Sequence, residues 1–272
     1  MAVLLTYRAP QTVPVELAGI TPDALRGKTL AEIERLEVLC GNRLLPLAEL
    51  FDMAGDAADE RLILAGDLSG VQRIGAGMTA GHLEVHGPAG RHLGSQLRGG
   101  RIVVAGDAGD FAGSELRGGL IHIRGSAGDR LGASYPGSPR GMTGGTILVD
   151  GDAGHDVGHA LRRGLIAIAG NCGDAAARAM LAGTIIVGGD CGPRCGAGMR
   201  RGTLALLGPG RPEILPTFTR GRLVSPRYLH LLARYLRAED FPALGEALLW
   251  PLERWFGDQV ESARGELLVR AQ

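Results

Sequence analysis

Aromatic residues are scarce: five phenylalanines, four tyrosines and two tryptophans among 272 residues. So little ring material does not fit an ordinary globular composition. Lysine is almost missing, Lys28 standing alone against 28 arginines, a skew that points to a GC-rich source rather than to a site. Excess charge of either sign is also absent, because basic and acidic residues balance at 29 each. Without a positive field the chain is not expected to bind nucleic acid, and it has no electrostatic reason to meet an anionic membrane. Four cysteines (Cys40, Cys172, Cys191, Cys195) are too few for a disulfide framework and agree with a reducing compartment. No apolar run approaches the roughly 18 residues that span a bilayer, and MAVLLTYRAP is too short and too soon interrupted for a signal peptide. A cytoplasmic protein is expected.

What the chain has in abundance is glycine, 45 residues, about 17% against a usual ~7%. Hydrophobic residues still reach 45%, enough for a large core, so disorder and a collagen period are both excluded. The glycine serves a repeat. From Arg61 to Gly208 the sequence is self-similar at a period of 19 residues, as in LRGGRIVVAGDAGDFAGSE followed by LRGGLIHIRGSAGDRLGAS. Glycines 81, 100, 119, 145, 164, 183 and 202 mark the period, with one step of 26 that holds a seven-residue insertion around Tyr135–Gly141.

Each unit opens with a short alternating run. Leu62/Leu64, Leu83/Val85, Ile102/Val104, Ile121/Ile123, Ile147/Val149, Ile166/Ile168, Ile185/Val187 and Leu204/Leu206 fall on one face, which only a strand allows. Glycines divide every unit into pieces of four to six residues and would each cost ~1 kcal/mol inside a helix. Further columns appear on stacking the units. One is Leu or Met at 78, 97, 116, 142, 161, 180 and 199; another runs Leu93, Ala112, Leu131, Val157, Ala176, Cys195; a third runs Ala89, Ala108, Ala127, Ala153, Cys172, Cys191. The expected fold is all-β: a right-handed parallel β-helix of about eight rungs over residues 61–210. Residues 1–60 are expected to form an N-terminal β/α cap, with a capping box at Thr29/Glu32, and residues 211–272 a helical C-terminal cap read from RYLHLLARYLR and PALGEALLWPLERWFGDQVE. Such caps protect the open strand edges at each end.

Candidate chemistry is thin. Cys172, Cys191 and Cys195 have a spacing that could converge on zinc, but they replace alanine or valine in apolar columns, and we read them as small buried hydrophobes. His155, Asp156 and His159 occupy turn positions filled elsewhere by Asp110-Phe111 and Asp129-Arg130, and the recurring Gly-Asp pairs share their slot with Ser126 and Asn171, as turn chemistry selects. No nucleophile with a base and no metal constellation is expected. Two outward features stand out. A mostly apolar stripe (Ile63, Val103, Leu148, Ala167, Ile186, Ala205), interrupted by Glu84 and His122, calls for a cover, either the chain's own C-terminal helices or another subunit. An arginine column (Arg98, Arg117, Arg162, Arg200), broken by Thr143 and Leu181, is a solvated face or a track for a polyanionic chain. The insertion, with Tyr135, Pro136, Ser138, Pro139 and Arg140, is expected to project as a loop and to dock against a partner, since Tyr and Arg are enriched at interface hot spots.

The tandem pattern M-x-x-G-x-I-x-V-x-G-x-x-G-x-x-x-G, with GMTGGTI after the insertion, resembles the glycine-rich β-helix family that includes the C-terminal domain of glutamate synthase. The Thr21–Leu30 entry, Gly41-Asn42, Leu50-Phe51 and the tail WFGDQVESARGELL resemble more closely the C subunit of formylmethanofuran dehydrogenase and of the bacterial formyltransferase/hydrolase complex. That resemblance implies a non-catalytic scaffold subunit. The other subunits would transfer a formyl group from formyl-tetrahydromethanopterin to a methanofuran-type carrier and hydrolyse it to formate. The alternatives are the CO2-reducing formylmethanofuran dehydrogenase and a glutamate-synthase-type domain. No cofactor is expected on this chain alone. The carrier, whose tail bears glutamates in the family, is expected at a subunit interface, with Arg98, Arg117, Arg162 and Arg200 as the residues nearest that chemistry.

Overall fold

The computed structural model describes residues 2–8 and 12–271. Its main feature is a thirteen-stranded, mostly parallel sheet among those residues. The alternating runs become strands such as Arg101–Val104, Leu120–Ile123, Thr146–Val149, Leu165–Ile168 and Thr184–Val187, each paired in parallel with the next. The register is the period itself: Ile102 pairs with Ile121, and Ile147 with Ile166 and so on, while the 26-residue step joins Ile121 to Ile147 without a slip. Identical side chains therefore lie over one another at the strand spacing of ~4.8 Å. The same rungs meet again through parallel bridges along Leu68, Ala89, Ala108, Ala127, Ala153, Cys172 and Cys191. A third set of bonds runs from the amides of Gly113, Gly132 and Gly158 to the carbonyls of Leu93, Ala112 and Leu131.

A contact between neighbouring rungs explains one glycine column. Gly132 has φ +65°, and a Cβ there would lie 2.6 Å from Cδ1 of Ile166. Gly94, Gly113 and Gly158 stand in the same relation to Ile121, Ile147 and Ile185. Where the residue at the end of that offset is Leu204 instead of isoleucine, the glycine is replaced by Ala177, itself at φ 60°. The outer corners carry a different device. Asp107 Oδ1 accepts from the Ser126 amide (2.7 Å), Ser126 Oγ from Asp152, Asp152 Oδ1 from Asn171, and Asn171 Oδ1 from Asp190. The recurring Asp, Ser and Asn thus do more than shape turns: each satisfies an amide on the following rung.

The C-terminal end departs from the expected helical cap, whereas the N-terminal segment mixes strands and helices. The N-terminal helices form, with Thr29 and Glu32 exchanging a reciprocal capping box at the start of Leu30–Glu34. The sheet ends there in strands: Val3–Tyr7 joins it in parallel with Arg61–Ala65 and carries Phe51–Ala54 antiparallel on its other edge. At the far end Arg227–Ala238 is helical as expected, whereas PALGEALLWPLERWFGDQVE yields only a short turn at Ala247–Leu249 and then the strand Leu252–Gly257. Pro251 interrupts helical bonding, and the edge of Arg264–Arg270 offers unpaired groups to which Trp255 and Phe256, good strand residues, pair antiparallel.

The outer apolar stripe is covered, over its upper part, by the chain itself. Leu148, Ala167, Ile186 and Ala205 pack against Leu229, Ala233, Leu236, Phe241, Leu244 and Leu248. The strands Leu120–Ile123, Thr146–Val149 and Leu165–Ile168 are consequently buried at every residue. Lower down, Ile63 and Val103 stay partly exposed, with Glu84 between them paired to Arg61. At the boundary lies His122, 0% exposed, its Nε2 2.9 Å from Asp150 Oδ1 and its ring edge-on to Phe241. Arg124 links Asp150 to Asp240, and Arg101 reaches Glu239. Burial holds the His122 imidazole below its ordinary range, against the opposing pull of Asp150.

This packing is open to two tests. Gly132→Ala is expected to destabilise by roughly 2–4 kcal/mol, from the left-handed backbone and the overpacking together. Removing the Ile166 Cδ1 in Ile166→Val relieves only the second part, so a double-mutant cycle in denaturant should show favourable coupling; additive effects would reject the contact. For His122, a folded pKa below the unfolded ~6.5 means that the unfolded chain takes the proton first. Its contribution to stability is present above pH ~6.5 and is lost as pH falls through that value towards the folded pKa. His82, His92 and His159 are shifted in the same direction by burial, so His122→Asn should reduce, without abolishing, the fall in Tm between about pH 7 and 5.5.

Candidate functional site

The arginine column is built by the stack. The amides of Arg98, Arg117, Arg162 and Arg200 donate to the carbonyls of Met78, Leu97, Met142 and Met180 on the preceding rung. The Leu or Met before each arginine is buried, so each arginine points outward, and all four are exposed. Arg98 and Arg117 stand on adjacent rungs; Thr143 separates Arg117 from Arg162, and Leu181 separates Arg162 from Arg200. Arg200 is occupied by Glu261 at 2.9 Å. Arg98, Arg117 and Arg162 have no ion-pair partner among the described residues.

The insertion closes at its base through bonds from the Gly141 amide to Ala160 and from the Met142 amide to Gly132. Tyr135 does not project as expected. It folds back over the stack, where its hydroxyl lies 3.0 Å from His92 Nδ1 and its ring stacks on Phe111 at 5.6 Å. Burial pushes its phenol pKa up. The physical reason is local: Phe111 and His92 form an aromatic step on the corner, with Arg91 and Arg130 over Phe111, and a ring at position 135 buries more surface there than in solvent. Tyr135 is the loop's anchor. Pro136, Pro139 and Arg140 are exposed, and the Ser138 hydroxyl donates to the Arg140 carbonyl at 3.2 Å.

Between this loop and the column lies a shallow cleft of about 310 Å³, lined by Glu115, Arg117, Ser138, Pro139, Arg140 and Thr143. Two sets of residues that are separate in sequence, Arg117 of the column and Ser138, Pro139 and Arg140 of the insertion, therefore share one surface. Arg98, Arg162 and Arg200 do not line it. Glu115 is held by Gln96 at 3.0 Å, and Arg140, like Arg117, has no ion-pair partner among the described residues. Two guanidinium groups beside a short wall suit the binding of carboxylates. The Thr143 hydroxyl is turned to the Leu116 carbonyl at 3.4 Å.

The remaining candidates are committed elsewhere. The His155 ring accepts from the Asp174 amide at 2.9 Å, Asp156 takes both arms of Arg178, and the His159 ring faces the Arg178 carbonyl. The Arg178 guanidinium holds the Asp156 carboxyl below its usual range. Cys172 and Cys195 are buried; Sγ of Cys191 lies 2.6 Å from that of Cys195. Hydrogen bonding to Cys172 together with burial pushes the Cys191 thiol up, and hydrogen bonding to Cys191 together with burial does the same to Cys195. Among the described residues no group of three His, Cys, Asp or Glu side chains is arranged to hold a metal, and no helix is long and apolar enough to cross a membrane.

No family model matches the chain. It is 38% identical over 96 residues to the C subunit of tungsten-containing formylmethanofuran dehydrogenase 2 from Methanothermobacter thermautotrophicus, covering 34% of this chain and 36% of the relative. It is 38% identical over 95 residues to the C subunit of molybdenum-containing formylmethanofuran dehydrogenase 1 from Methanosarcina barkeri, covering 34% and 32%. The chain thus spans about a third of the length of these curated relatives. Among solved structures, it matches a chain of the formyltransferase/hydrolase complex (FhcABCD) from Methylorubrum extorquens in complex with methylofuran. There the TM-score is 0.92 and the identity 35%, over 99% of this chain and 100% of the other. With that identity carried over the full length, the chain belongs to the family of formylmethanofuran dehydrogenase C subunits.

Proposed function

We propose that this chain is a non-catalytic scaffold subunit of a cytoplasmic formyltransferase/hydrolase complex. Its partner subunits would convert formyl-tetrahydromethanopterin to formate through a methanofuran-type carrier. The observation that carries this reading is the end-to-end correspondence with a chain of a complex crystallised with methylofuran. The second reading, the C subunit of a CO2-reducing formylmethanofuran dehydrogenase, is favoured by the curated relatives, but over only a third of the chain. The scaffold we infer is a right-handed parallel β-helix of about eight rungs spanning residues 61–210, with residues 1–60 and 211–272 as its caps. The three sets of inter-rung bonds support it.

On this reading no cofactor sits on the chain alone. The carrier approaches at a subunit interface, and the cleft beside Arg117 and Arg140 receives carboxylates of its acidic tail, with Arg98, Arg162 and Arg200 extending the positive track. The exposed part of the insertion, Pro136 to Arg140, is the docking element for a partner, while Tyr135 holds it in place.

Co-expression with the other subunits of such a complex, followed by purification through a tag on this chain, tests the assignment. Stoichiometric recovery of the partners is expected, with no formyl hydrolysis or transfer by the chain purified alone. Turnover by the isolated chain, or failure to retain partners, would overturn it. Deleting Pro136–Arg140 while keeping Tyr135 should leave Tm nearly unchanged and weaken retention of partners; normal assembly would reject the docking role. Arg117→Ala combined with Arg140→Ala should raise the carrier KM roughly three- to tenfold at intact assembly, the loss of two solvent-exposed charge contacts. An unchanged KM would return both arginines to the solvated surface.

A further inference from the structure

One corner of the stack brings two inward columns together at a separation of four residues: Ala108 with Ala112, Ala153 with Val157, Cys172 with Ala176, and Cys191 with Cys195. The chain turns sharply between the two members. His92, Phe111, Arg130, Asp156, Ala175 and Arg194, each just before the second column, are all left-handed, with φ between 57° and 64°. Only the last of these pairs holds two thiols; Cys172, one rung earlier, has Ala176 in the second position. Cys191 Sγ lies 2.6 Å from Cys195 Sγ, and both cysteines are free. A disulfide bond is ~2.05 Å long, so the two sulfurs need to close by only about 0.5 Å.

The end of the stack gives access to this pair. The ladder of parallel bridges that starts at Leu68 ends at Cys191. On the following rung the chain runs through Gly208-Pro209-Gly210-Arg211-Pro212, where two prolines without amide protons cannot extend the ladder, and the Gly210 amide bonds to Asp190 Oδ1 at 2.8 Å. A cavity of about 180 Å³ is left there, lined by Cys191, Leu206, Gly208, Gly210, Arg211 and Pro212. Cys172 and Cys195 are closed off at 5% and 2% exposure, whereas Cys191 is partly exposed. Hydrogen bonding between the thiols, together with burial, pushes both Cys191 and Cys195 up, so thiolate is scarce at neutral pH and oxidation is slow.

We propose that Cys191 and Cys195 form a reversible dithiol–disulfide site, oxidised by hydrogen peroxide entering beside Cys191. The Cys191 thiolate attacks one peroxide oxygen, the O–O bond breaks, and the departing hydroxide takes up the thiol proton as water, leaving a sulfenic acid. Cys195 Sγ then attacks the Cys191 sulfur. The S–O bond breaks, and the hydroxyl leaves with the Cys195 proton as a second water. Two thiols and one peroxide thus give one disulfide and two waters, the two electrons lost by sulfur reducing the peroxide. A dithiol reductant reverses the change by exchange.

The full chain, reduced and then freed of reductant, is treated with hydrogen peroxide, alkylated under denaturing conditions and digested with trypsin. Arg194 lies between the two cysteines, so peptides 179–194 and 195–200 come apart unless a bridge joins them. The expected product is the joined pair, about 2 Da lighter than its two free-thiol halves together, with Cys40 and Cys172 alkylated and with dithiothreitol restoring the separate peptides. Cys172→Ala should retain the bridge. Cys191→Ala and Cys195→Ala should abolish it and still fold, since alanine stands in the same columns at Ala153 and Ala176. Four alkylated cysteines after peroxide, a bridge from Cys191 to Cys172, or sulfinic acid at Cys191 with Cys195 still alkylated would each overturn the proposal.

Discussion

An isoleucine of one rung fills the space left by a glycine on another, and this contact sets the distance and register on which the rest of the molecule depends. Ile166 above Gly132 is one instance; the pairs of Gly94 with Ile121, Gly113 with Ile147 and Gly158 with Ile185 are others. A side chain on the glycine would push the rungs apart, and a slip of one residue would turn every buried aliphatic outward. With the register held, the 19-residue period becomes a set of columns, and each column acquires one physical role along the stack.

Inward columns bury aliphatics, and corner columns satisfy amides. The chain from Asp107 through Ser126, Asp152 and Asn171 to Asp190 shows how a short polar side chain can answer the next rung's backbone where no strand continues. Outward columns face solvent or, at Leu148, Ala167, Ile186 and Ala205, the chain's own C-terminal segment. The same regularity that packs Leu97, Leu116 and Leu161 inside presents Arg98, Arg117 and Arg162 outside, because each arginine follows an inward residue by one position. Clefts then arise where the regular pattern is broken: at the insertion, whose loop stands beside Arg117, and at the C-terminal end, where prolines take the chain away from the sheet.

The repeat, the parallel strands and the inward columns were legible in the sequence, because alternation along a strand and recurrence at 19 residues are properties of residue order alone. The capping box at Thr29 and Glu32 was legible for the same reason, being a contact between residues three apart. The strand at Leu252–Gly257 was not: its residues have a helical look, and the partner edge that draws them into a sheet, Arg264–Arg270, exists only after the stack has formed. His122 read as an interruption of an apolar stripe; its pairing with Asp150 and its burial under Phe241 depend on the C-terminal segment folding back across the sheet.

For the candidate site the division is similar. Sequence alone determined that Arg98, Arg117, Arg162 and Arg200 share a column, and that Tyr135 to Arg140 lie outside the period. Tertiary structure decided that Tyr135 turns inward onto Phe111 and His92, that Arg200 is taken by Glu261, and that Arg117 and Arg140 line one cleft. Periodicity carries the contacts between equivalent residues, since these repeat along the chain. It carries nothing about where an insertion or a tail comes to rest, because that depends on surfaces which exist only once distant rungs have been brought together.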